Sequence, residues 1–182
     1  MKRDMSGSAA VLCAFDAIVR DGGASGSGGE GKRVPLHAVL CLAENAVGPK
    51  STRPDDIHVA YSGISVEIVN TDAEGRLALG DGVAFVAKTK NPRVIIDVAT
   101  LTGAQGIATG KRHGALLTSS AAAEAATVAA GRYSGDLVFP IPYCPEFYLH
   151  EFRSAVADMT NNVKDRSNAQ ASCAGELVCG GR

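Results

Sequence analysis

The stretch that decides this sequence is Asn70-Thr71-Asp72-Ala73-Glu74-Gly75-Arg76-Leu77. Just before it, at 64–68, Ile64, Val66 and Ile68 alternate with Ser65 and Glu67, the period-two pattern of a strand. Just after it, Leu79, Val83 and Val86 fall on one helical face. The octapeptide is therefore a strand-to-helix turn carrying two carboxylates two residues apart. Asp72 and Glu74 repel at that spacing unless positive charge lies between them, and a divalent cation accepts hard oxygen ligands from a single loop. Gly75 permits a sharp turn into the helix. Arg76 adds a permanent cation whose planar donor fork suits an oxyanion or a carboxylate. A polar turn capped by Asp72 is the plainer reading of the same residues.

Working outward, residues 8–20 place Val11, Leu12, Phe15, Ile18 and Val19 at helical spacing. Residues 21–32 are dominated by Gly and Ser and read as a flexible surface loop. The apolar runs at 34–42 and 94–101 are consistent with buried strands, and 114–118 with a shorter one. The alanine-rich run 121–130 predicts a helix. After Gly135 the pattern weakens, broken by Pro140, Pro142 and Pro145. Strands alternating with helical stretches predict an α/β domain with a mixed, largely parallel sheet flanked by helices. All 182 residues form a single, partial domain in this reading.

Bulk properties exclude several classes. Eighteen Lys and Arg against nineteen Asp and Glu leave a formal charge of -1, so no global field recruits nucleic acid or an anionic membrane. No apolar run reaches the roughly 18 residues of a bilayer span, and no signal peptide opens the chain. Five cysteines without a CxxC pair read as thiols in a reducing compartment, which points to the cytoplasm.

Three other patterns fail on chemistry. Gly26-Ser27-Gly28-Gly29-Glu30-Gly31-Lys32 fits a phosphate loop up to its lysine, but Arg33 stands where Ser or Thr must reach magnesium, and a helix rather than a strand precedes it. Asn70, Asp72, Glu74, Gly75 and Asp81 match positions of a calcium loop. That loop needs a helix on both sides and a terminal Glu. His37, His58, His113 and His150 show no metal-ligand spacing.

The octapeptide at 70–77 is identical to the signature by which leucyl (cytosol) aminopeptidases are recognised, and the sequence resembles that family beyond it. Met1-Lys2-Arg3-Asp4-Met5 resembles the family's stretch with a further aspartate metal ligand. Asp97-Val98-Ala99-Thr100-Leu101-Thr102-Gly103-Ala104 looks like its strand and turn lining the substrate pocket. Ala43-Glu44-Asn45, Arg53-Pro54-Asp55-Asp56 and the segment 106–111 are similar to the animal, aminopeptidase-like branch.

The resemblance implies an enzyme that removes N-terminal residues from peptides with two divalent ions, zinc or manganese. Asp72 would bind one metal, Glu74 would bridge both, and Asp4 would bind the second. Arg76 would serve catalysis by holding a bicarbonate-like anion near the attacking water. Leu101, Thr102 and Gly103 would contact substrate, with Met1 near the side-chain pocket. The family's catalytic domains assemble as hexamers, so a homo-oligomer is expected. Departures are also visible. The family draws a metal-binding lysine and aspartate, and a catalytic lysine, from a segment upstream of the Asp4 motif, and the expectation is that this chain lacks all three and the closing strand and helix as well. Ser6 replaces the first glycine of a Gly-Gly pair, and Gly80 stands where alanine is usual. A catalytically inactive truncated copy, acting at most in oligomer assembly, is the alternative. A calcium-binding module is a third.

Overall fold

The computed structural model describes residues 2–21 and 35–180. Most of the Gly/Ser stretch at 21–32, the phosphate-loop lookalike within it, and Met1 lie outside the described residues.

Helix α1 spans Ser6–Arg20, β1 Ile57–Val59 and β2 Ser65–Glu67. A 3-10 turn at Thr71–Ala73 leads into α2, Gly75–Lys90. There follow α3 (Ala104–Ala108), β3 (Gly114–Leu116), α4 (Ala121–Ser134), β4 (Val138–Pro140), α5 (Pro145–Tyr148), β5 (Met159–Thr160) and α6 (Gln170–Gly180). The ends of the helices follow local chemistry. Ser120 caps α4 by accepting from the Ala123 N–H at 3.3 Å, and Gly135 closes it at φ 84°, where a side chain would be strained. Asn91 ends α2 in the left-handed region at φ 45°, directly before Pro92.

The mixed α/β class holds, and among the described residues two of the three strand pairings are parallel. One sheet runs β1-β2-β5, antiparallel between β1 and β2 and parallel between β2 and β5; a separate parallel pair joins β3 to β4. The segments expected as strands at 34–42 and 94–101 behave differently. No strand forms at 35–42 or 94–101. Leu42 is 67% exposed and Ile96 81%. An apolar run records a demand for burial, whereas a strand also needs a neighbour to complete its ladder.

The core is one-sided. Phe152, Val163, Cys173 and Leu177 cluster with Tyr148 and Met159 beside them, and α2 packs along α6. Ile68, at the end of β2, is fully buried and anchors the turn that follows. On the other side, α1 approaches the 94–101 segment at Gly7, where any Cβ would overlap the Val98 carbonyl. The tight glycine is therefore Gly7; Ser6 is exposed and bonds the Arg3 carbonyl at 2.8 Å.

Candidate active site

The 70–77 turn is built by hydrogen bonds that its sequence only half reveals. The Asn70 side chain accepts from the Asp72 N–H at 3.0 Å, a local turn that sets the 3-10 geometry. Ala73 is buried, while Asp72 on one side of it is exposed and Glu74 on the other is half-buried. Arg76, the second residue of α2, is 8% exposed, and its guanidinium donates to the Asn161 carbonyl at 3.2 Å. Burial pulls this guanidinium down from its ordinary value, against the opposing pull of Cys173 and Glu74. An arginine keeps its charge at neutral pH all the same.

Two of the three candidate acids, Glu74 and Asp4, have a polar neighbour. Asn45 donates to the Glu74 carboxylate at 2.6 Å, and Thr100 donates through its hydroxyl to the Asp4 carboxylate. Thr100 immediately precedes the Leu101, Thr102 and Gly103 expected at the substrate. One open cleft of about 2380 Å³ is lined by Asp4, Asp72, Glu74, Arg76, Leu101, Thr102 and Gly103 together. The structure thus brings every described site residue named from sequence to a common cavity. Met1 is outside the described residues.

The fit to a metal is partial. Three carboxylates are the right kind of donor for a hard divalent ion. Their number and spacing are insufficient: among the described residues no three His, Cys, Asp or Glu are grouped closely enough to hold one.

The calcium-loop reading fails structurally as well as chemically. A strand, not a helix, precedes the turn, and Asp81 lies within α2, where it accepts from the Tyr61 N–H at 2.8 Å and stands 3.6 Å from His58. The four histidines form no cluster, and His150 sits 3.4 Å from Glu151. None of the five cysteines is joined in a disulfide. Among the described residues no helix is long and apolar enough to cross a membrane. Sequence reasoning missed three contributors: Asn45 and Thr100, which lay unassigned inside quoted motifs, and Asn161, which no local pattern announces.

Comparison with known proteins gives this geometry a context. A family model described as the cytosol aminopeptidase family, catalytic domain, matches residues 1–179. The probable aminopeptidase NPEPL1 of Mus musculus is 61% identical over 178 residues, covering 98% of this chain and 32% of that protein. Leucine aminopeptidase 1 of Caenorhabditis elegans is 42% identical, covering 99% and 35%. A leucyl aminopeptidase from Trypanosoma brucei, solved in complex with bestatin, superposes with a TM-score of 0.90 at 52% identity over 99% of this chain and 33% of its own. The chain spans about a third of the length of the relatives it matches.

Proposed function

Because the chain belongs to the cytosol aminopeptidase family, as a segment of its catalytic domain, we propose that it supplies half of a two-metal aminopeptidase centre acting on the N-terminal residues of peptides. The observation that carries this reading is the cleft shared by Asp4, Asp72, Glu74, Arg76 and the 101–103 segment. Asp72 and Asp4 are the ligands this segment offers to one metal each, and Glu74 is the carboxylate suited to bridge. Zinc or manganese fits such donors, and a pair of these ions, when bound, supplies an activated water and a polarised carbonyl.

The chain's own residues do the rest. Asn45 fixes the rotamer of Glu74, as a ligand's outer hydrogen-bond partner does. Thr100 ties Asp4 to the segment that bears Leu101, Thr102 and Gly103, so the acid and the substrate contacts move together. The buried charge of Arg76 favours a bicarbonate-like anion beside the reacting water. Assembly as a homo-oligomer, a hexamer, in the cytoplasm completes the proposal, and five cysteines without a disulfide are in keeping with that compartment. A second reading, a catalytically inactive copy that at most joins oligomers, draws its support from the spacing of these acids, since among the described residues no three His, Cys, Asp or Glu are grouped closely.

Glu74→Gln in the full-length protein is the decisive test. It should abolish hydrolysis of leucine p-nitroanilide in the presence of manganese while leaving the circular dichroism spectrum unchanged. Turnover near that of the parent would refute the bridging role.

A further inference from the structure

Asn161 follows β5 immediately and is completely buried. A buried primary amide is costly unless its donors and acceptor are satisfied, and this one is satisfied entirely by a single distant loop. Its side-chain oxygen accepts from the N–H groups of Val69 at 3.0 Å and Asn70 at 3.2 Å. Its side-chain nitrogen donates to the carbonyls of Asn70 at 2.6 Å and Ala73 at 3.4 Å. The main chain of the same residue continues the grip. Its N–H donates to the Glu67 carbonyl at 2.9 Å, and its carbonyl receives Arg76.

We propose that Asn161 is the positioning residue of the site, clamping the 69–73 turn so that Asp72, Glu74 and Arg76 are presented together to the cleft. The clamp spans both sides of the acids: it holds the chain before Asp72, the carbonyl between Asp72 and Glu74, and the guanidinium after them. It is also two-sided in chemistry, since donor and acceptor are both needed. A residue that merely filled space would leave the Val69 and Asn70 N–H groups and the Ala73 carbonyl to find other partners. The role given to the acids rests on the aminopeptidase reading; the clamp itself does not.

The test uses the 182-residue chain, its Asn161→Ala and Asn161→Asp variants, and two measurements. The first is amide hydrogen exchange at Val69 and Asn70. Asn161→Ala should speed it, while Asn161→Asp, which keeps the acceptor, should leave it near the parent value; α4 amides serve as an unaffected reference in both. The second is the manganese concentration that broadens the Asp72 and Glu74 amide signals. It should rise about tenfold or more in both variants, the size of effect expected when a ligand loses its outer support, because Asn161→Asp sets a carboxylate against the Asn70 and Ala73 carbonyls. A purely structural role would lower stability without moving that concentration. Unchanged exchange in Asn161→Ala overturns the clamp. Faster exchange with unchanged manganese response overturns the positioning role. If the parent chain shows no manganese broadening at all, the metal reading fails and the clamp is judged on exchange alone.

Discussion

At the scale of single residues, the least comfortable group lies away from the cleft. Glu176 is 1% exposed; one carboxylate oxygen accepts from the Cys144 N–H at 2.7 Å and the other has no partner. Burial pushes its pKa up from the ordinary 4.5, more than the Cys144 hydrogen bond holds it down. A carboxyl with a raised pKa in the fold binds its proton more tightly folded than unfolded. Its contribution to stability is therefore present below pH 4.5 and is lost as pH rises through the higher folded value. Glu176→Gln should remove that slope. Thermal unfolding between pH 4 and 8 should show the variant gaining on the parent as pH rises, by about 1 kcal/mol at pH 8, the usual scale for a desolvated, half-satisfied polar group. Parallel curves for the two proteins would show that Glu176 is not the titrating group. Neighbouring Cys173, pushed up to about 11 chiefly by burial, stays a thiol throughout that range and adds no slope of its own.

At the scale of elements, the helix α1 depends on one glycine. Gly7→Ala sets a methyl against the Val98 backbone, which cannot rotate aside as a side chain could. We expect a loss of about 1–3 kcal/mol, the range for overpacking, whereas Ser6→Gly should change stability by well under that, since Ser6 is exposed. Urea unfolding of the pair checks both; equal small effects would mean that α1 can shift away from the 94–101 segment at little cost. In sequence the pair shows only as a serine in place of the first of two glycines, and which member packs tightly is decided by the distant Val98 backbone. Elements carried by local rules were read well: β2 through its alternation, α4 through its alanines, and the turn at 70–77 through its own composition. Elements made by distant partners were not. The β5 strand is two residues long and exists because Val66 and Glu67 are there to pair with it. Helix α6 carries Glu176 in its buried face, against any apolar periodicity. For the same reason Asp72 and Glu74 could be found from the motif, while Asn161, reaching them across about ninety residues of chain, could not.

At the scale of the molecule, the buried core and the cleft lie on different supports. Beneath the 70–77 turn are α6, β5 and a packed apolar cluster. Along the cleft, the 35–42 and 94–101 segments show Leu36, Val94 and Ile96 at 46%, 71% and 81% exposure. Apolar residues in that number on neighbouring segments are more than a soluble surface ordinarily shows to water. The relatives are about three times longer than this chain, which leaves ample polypeptide in them to cover such walls and to complete the metal ligands. It follows that the 182-residue chain by itself should bind a hydrophobic dye such as ANS strongly, and that its fluorescence should fall when the walls are covered in the full-length protein. The same chain should show no turnover of leucine p-nitroanilide under added manganese, because three carboxylates that are not grouped closely hold metal weakly. Activity that survives repeated purification would show instead that Asp4, Asp72 and Glu74 converge in solution more closely than they do in this fold, and that the cleft closes around metal without further chain.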